Sequence, residues 1–225
     1  NVDKRQNFMG DAATDEPDIN SPKSVNIHPH GKKYYVNSLE GCATVVFEMG
    51  TNKKLKTIHH QCDPSKDSLW SKPSDLYPFT HYTDNLNTFG GKPVEGCFTH
   101  NGRYFWAPYY RRTFDINAQD PSALAVIDTQ TDEIILLMET GPLPKMIAAS
   151  HDGKYVAVTH WGNNTVGLIN VQGDNPRQWH HEQLMVVDYV LPLIQGLWKR
   201  EAISPLMREL SIHLGPTMAK TPFRR

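Results

Sequence analysis

An all-β chain built from repeated four-stranded units is the fold class this sequence predicts, and three observations predict it. A proline stands nine positions ahead of a glycine three times: Pro22 and Gly31, Pro93 and Gly102, Pro144 and Gly153. Each glycine is followed by a basic residue, Lys32, Arg103 or Lys154, and then by an aromatic and β-branched run. Downstream the copies stay in step. "ATVVFE" (43–48) falls on "TVGLIN" (165–170), "ALAVID" (123–128) has the same shape, and "EMGTNKKLKTI" (48–58) matches "DTQTDEIILLM" (128–138) without a gap.

The elements of one copy follow in order. Residues 24–28 form a strand whose leading proline costs no ladder hydrogen bond. "PHG", "HNG" and "HDG" are tight turns in which glycine takes a positive φ without penalty. A second strand (33–37), a loop, and a third strand (43–47) come next. A turn containing "GTN" or "QTD" then leads into a fourth strand (55–58). Four antiparallel strands in about 40 residues make one blade of a β-propeller. The predicted blades are 22–60, 93–140 and 144–191, with Pro108 expected to close the second strand of blade two early.

Two insertions interrupt the pattern. The larger, 61–91, carries Trp70, Tyr77, Phe79 and Tyr82, and the smaller starts at Tyr110 inside blade two. Loops of this length in compact proteins are functional or disordered, and their aromatic content argues for a use. Both insertions leave their blades in the same strand direction, so they are expected on one rim, where Trp70, Tyr77, Phe79, Tyr82, Tyr109, Tyr110, Arg111 and Arg112 would bind a partner or ligand. Residues 1–21 read as an acidic lead-in. After the propeller region 22–192, the segment 193–225 reads as a degenerate blade or a short helix capped by Ser204, with a basic tail. The chain opens at Asn1 rather than Met, which reads as a processed form or a fragment, and no signal-peptide pattern is visible there.

The phrases "DGKYVAVTHWGNNTVGLINV" and "VIDTQTDEII" resemble the YVTN-type β-propeller repeat of bacteria and archaea, and "YYVN" (34–37) repeats its signature in blade one. The resemblance covers 21–192 and implies a propeller, with secreted and surface-anchored members common in the family. Propellers that resemble this one also include lactonases, lyases and haem-bearing reductases. Three copies do not close a ring, since closed propellers need about four to eight blades. The ring is therefore expected to be completed by further blades or another chain.

The chemistry is thin. Cys42, Cys62 and Cys97 are too few and too scattered for a disulfide framework or a zinc site. His59-His60 and His180-His181 look like ligand pairs, but neighbours on a strand point to opposite faces and cannot chelate together. No nucleophile elbow, metalloprotease motif, phosphate loop or dinucleotide fingerprint is present. The prediction is thus no catalytic residue, no metal and no cofactor. A formal charge of −1 disfavours nucleic acid, and no apolar run reaches the roughly 18 residues of a membrane span. The leading expectation is a non-catalytic binding or scaffold propeller that meets another protein in a bacterial envelope. The runner-up is an enzyme or redox subunit acting at the central channel through Lys23, Glu95, Cys97 or Lys145.

Overall fold

The computed structural model describes residues 16–77, 88–113, 115–117 and 120–186. Blade one is a four-stranded antiparallel sheet of β1 (Pro22–Ile27), β2 (Lys33–Ser38), β3 (Ala43–Glu48) and β4 (Lys54–His59). The first insertion opens with β5 (Gln61–Cys62) and a 3-10 turn over Pro64–Leu69, and returns as β6 (Phe89–Pro93). Blade two contains β7 (Cys97–Thr99), β8 (Tyr104–Arg112), β9 (Ser122–Asp128) and β10 (Glu133–Thr140). Blade three is β11 (Pro144–Ala149), β12 (Tyr155–His160), β13 (Thr165–Asn170) and β14 (His180–Val186), in sequential order. All neighbouring strands within the blades run antiparallel.

The repeat is visible in the backbone. Gly31, Gly102 and Gly153 all adopt positive φ, at 65°, 86° and 70°. Each closes the same turn, donating its N–H to the residue three back: His28, Thr99 or Ser150. The downstream turns match as well. Asn52 and Asp132 both take φ near +54°, at 55° and 53°, and donate to the carbonyls of Glu48 and Asp128. Replacing Gly153 by valine is expected to cost about 1–3 kcal/mol, because a β-branched residue is strained at that φ even though no atom lies within 4 Å of the new Cβ. An unchanged melting curve would contradict this.

Burial explains why strand patterns differ between blades. Blade two is covered on both faces, so all seven residues of β9 are buried and no polar alternation survives. Tyr35, Val46 and Ile58 of blade one pack with Phe105, Ala125 and Ile127 of blade two. On the other side Trp106, Leu124, Val126 and Met138 pack with Ile147, Val156, Val158 and Ile169 of blade three. Register places Val25 beside Val36 and Ile27 beside Tyr34, on the face of blade one turned away from blade two. There Val25 and Ile27 remain 63% and 60% exposed.

Blade two departs from expectation in three ways. Its sheet has six strands, because the insertion ends add β5 and β6 to the path β10-β9-β8-β6-β5. Its innermost strand is only three residues long. Pro108 does not end the second strand: β8 continues to Arg112. The reason is local. The Pro108 carbonyl accepts from Val94 N–H at 3.1 Å, so its donor-less nitrogen faces the same side, where residues 94–96 belong to no strand. A missing N–H costs little beside a gap in the ladder.

The lead-in is also less free than its composition suggests. Lys54 bridges Glu16 and Asp18, Thr57 donates to Asp18, and Asn20 N–H reaches Ser38 Oγ at 2.8 Å. The expected helix at 204–214 lies outside the described residues, as do 187–191 of blade three.

Candidate functional site

The two insertions meet through their backbones. Thr113 N–H donates to Gly90 O at 3.0 Å, and Gly90 N–H donates to Thr113 Oγ1 at 3.0 Å. Around this junction the eight residues singled out from sequence separate into distinct places. Tyr77, Tyr109 and Arg112 are buried, at 3%, 0% and 2% exposure, so they belong to the interior and not to an exposed binding surface. The physical reason is that the insertion packs onto the sheets it was expected to overhang. Trp70 bridges to Leu137 of β10, and Trp70 and the Arg112 guanidinium both lie against the Phe89 ring. Tyr77 reaches blade three, with its ring centroid 5.4 Å from His160 and 4.5 Å from His181. Tyr110 and Arg111 stay half-exposed at the rim. Phe79 and Tyr82 lie outside the described residues.

Tyr109 belongs to a directed hydrogen-bond chain between blades one and two. Thr44 Oγ1 donates to Asn37 Oδ1 at 2.7 Å, so it must accept from His60 Nε2–H, also at 2.7 Å. His60 Nδ1 then accepts from the Tyr109 hydroxyl at 2.9 Å. Asn37 passes the chain on, donating to Val94 O and Glu95 O. That is the local task of the asparagine in "YYVN": it ties strand two of one blade to the first-strand segment of the next. His160 has the opposite tautomer. Thr165 donates to Asn163 Oδ1, so Thr165 accepts from His160 Nδ1–H at 2.9 Å and Nε2 accepts from Thr140 at 2.7 Å. Burial pushes both histidines down to about 3, and both stay neutral.

The exposed part of the rim is built on strand ends. Lys145, on the first strand of blade three, places its ammonium 5.7 Å from the ring centroids of both Tyr110 and Trp161, and 3.9 Å from Glu95 Oε1. Trp161 follows β12 and is 53% exposed. Nearby, Lys92 pairs with Glu40 at 2.5 Å, and Arg111 Nη1 donates to Ile116 O at 2.7 Å. Sequence reasoning named Tyr110 and Arg111 for this rim, and Lys145 and Glu95 for the central channel, but missed Trp161, whose signal was its place in the loop after strand two, equivalent to the loop holding Glu40. Of the two remaining channel-side candidates, Lys23 is exposed on β1, and Cys97 has a thiol that burial pushes up to about 12. Burial likewise pushes the Cys62 thiol up to about 12, and all three cysteines are free.

A separate cavity of about 470 Å³ lies where the insertion crosses from blade two to blade three. Its walls are 71–74 on one side and 177–181 on the other, with Met138 between them. Ser71 N–H donates to Leu137 O at 2.7 Å, and Arg177 Nη1 donates to Trp70 O at 3.2 Å, which fixes the two walls to each other. Beneath them burial pushes the Glu139 carboxyl up to about 7, although it accepts the Ser74 N–H. No group of three or more metal-ligating side chains occurs among the described residues.

Four-stranded antiparallel blades packed face to face in sequence order define the chain as a β-propeller protein. No protein-family profile matches it, and no curated protein matches it. Among solved structures it is similar to the hydrazine synthase of Kuenenia stuttgartiensis, with a TM-score of 0.52 at 15% identity over 80% of this chain and 40% of that one. It is also similar to the periplasmic gluconolactonase of Pseudomonas aeruginosa, with a TM-score of 0.46 at 13% identity over 75% of this chain and 43% of that one. The chain thus spans well under half the length of either. At such identity the likeness shows the fold alone. No helix among the described residues is long and apolar enough to cross a membrane.

Proposed function

We propose that this chain is a non-catalytic binding propeller of the YVTN type, working in the envelope of a bacterium and docking another protein on the rim where its insertions meet. The observation that carries this reading is the cluster of Trp161, Tyr110 and Lys145. An indole 53% exposed to solvent, a tyrosine and a lysine are held on the ends of rigid strands. Trp and Tyr are enriched in interface hot spots, and both are held here on strand ends. The apolar face of blade one, with Val25 and Ile27, supports a ring completed by further blades or a second chain. The envelope location rests on the resemblance of the repeat.

The enzyme reading gains nothing from the channel-facing groups. Lys145 faces Glu95, and the Cys97 thiol stays protonated. Cross-linking in envelope preparations tests the proposal. The native protein should capture a defined partner, and Trp161→Ala with Tyr110→Ala should reduce that capture about tenfold or more, as loss of a hot spot of about 2 kcal/mol requires. Identical capture by both proteins, or turnover of a small substrate by the purified chain, would overturn it.

A further inference from the structure

Residues 71–77 of the insertion lie as a strap across blades two and three, and the binding reading above does not use it. Ser71 N–H donates to Leu137 O at 2.7 Å, and Ser74 N–H donates to the Glu139 carboxyl. Tyr77 is the only buried residue of the seven. Its ring rests against His181 and His160 and over Gly167, where a Cβ would run into the Tyr77 hydroxyl. A segment held by so few buried contacts opens locally at lower free energy than the whole fold.

The strap covers two titratable groups of opposite kind. The Glu139 carboxyl is buried beneath Ser74, and the His181 ring is covered by Tyr77. They are joined, since His181 Nε2–H donates to the Glu139 backbone carbonyl at 2.5 Å. Burial disfavours the charged form of each, so it keeps a proton on the carboxyl and keeps one off the imidazole. Glu139 is raised to about 7 from 4.5, and His181 is lowered to about 4 from 6.5. Lifting the strap returns both to water. Glu139 then releases a proton, so rising pH favours the lifted strap. His181 then gains one, so rising pH favours the seated strap.

Among the described residues, the other charged or titratable groups here come from four elements. Lys72 and Asp75 on the strap, Arg177 on the 3-10 turn and His180 on β14 are exposed, so lifting does not uncover them. Burial raises the Tyr77 hydroxyl above its ordinary value, and it stays protonated. His160 on β12 keeps Thr140 and Thr165 on its two nitrogens wherever the strap lies.

We propose that Glu139 and His181 form an opposed pair that holds the seating of this strap nearly constant between pH 6 and 8, the carboxyl giving up a proton and the imidazole gaining one whenever the strap lifts.

Native-state hydrogen exchange of the full chain, read at the Ser71 and Ser74 amides from pH 6 to 8, tests the pair. In the native protein the lifting equilibrium should change by no more than about threefold over that range. Glu139→Gln keeps an acceptor for Ser74 and leaves His181 unopposed, so lifting should fall about fourfold. His181→Gln keeps a donor for the Glu139 carbonyl and leaves Glu139 unopposed, so lifting should rise about tenfold. Slopes of the same sign in the two variants, or a larger change in the native protein, would overturn the proposal. NMR titration of the native protein decides it even where a variant does not fold. The Glu139 carboxyl should titrate at about 7, and His181 should stay neutral down to about pH 5. A carboxyl titrating near 4.5, or an imidazole charging near 6.5, would overturn the pair as well.

Discussion

Asp132→Ala is expected to cost about 3–5 kcal/mol, enough to separate blade one from blade two in a protein of ordinary stability. Asp132 sits in the downstream turn of blade two but serves blade one. Its carboxylate accepts from Lys33 Nζ at 2.7 Å and from the Tyr35 hydroxyl at 2.5 Å. The Lys33 and Asp132 side chains are only 17% and 12% exposed, so the pair is shielded from water. Alanine leaves a buried ammonium with the Thr129 carbonyl as its remaining acceptor, and a buried tyrosine hydroxyl with none. Part of that loss, about 1–2 kcal/mol, comes from placing a side chain without local hydrogen bonding at φ 53°.

Asp132→Asn separates these contributions. Asparagine tolerates the left-handed backbone and keeps an acceptor for Tyr35, so its loss should be about half that of alanine. Urea midpoints measure both. Combining Lys33→Met with Asp132→Ala should recover at least about 1 kcal/mol relative to the sum of the single losses, because the stranded charge is then gone. A loss below about 1 kcal/mol for Asp132→Ala would show that the interface is held by Phe105, Tyr35 and Val46 alone.

The strands and turns were legible because they are encoded locally. Gly31, Gly102 and Gly153 sit at the same backbone conformation, and Asn52 matches Asp132, as the ungapped alignment of 48–58 on 128–138 required. What the sequence hid was everything that crosses between blades. Nothing near Tyr109 signals that its hydroxyl ends on His60, 49 positions away. Nothing near Tyr77 signals that its ring ends between two histidines of blade three. Aromatic content in an insertion was read as a recognition surface, yet the same rings lower free energy by packing, and in Tyr77 packing won. The strand through Pro108 was hidden for a similar reason: its tolerance depends on a gap in a neighbouring strand. Tyr110 and Arg111 stay half-exposed because they lie near the end of β8, beyond the part of the strand that its neighbours cover.

Acidification should unfold this protein steeply between about pH 6.5 and 4.5, and the buried histidines set the direction. Burial lowers His60 and His160 to about 3 and His181 to about 4, from 6.5. A lowered folded value means that the unfolded chain takes up these protons first. Stability is therefore full above pH 6.5 and is lost as pH falls. Glu139 acts the other way: burial raises it to about 7 from 4.5, so over this window the folded state holds one proton the unfolded chain lacks. Three protons favouring unfolding against one favouring folding leave a net of about two, and each is worth about 1.4 kcal/mol per pH unit. The expected slope is about 3 kcal/mol per pH unit near pH 5.5, read from urea midpoints on a pH series. Asp18 and Asp152, held below the usual carboxylate range by Thr57 and by Ser150, extend the loss to lower pH. His160→Gln should remove about one proton from the slope, since glutamine does not titrate. A stability that is flat from pH 7 to 5, or that rises, would mean that His60 and His160 take up protons in the folded protein and that burial does not hold them neutral.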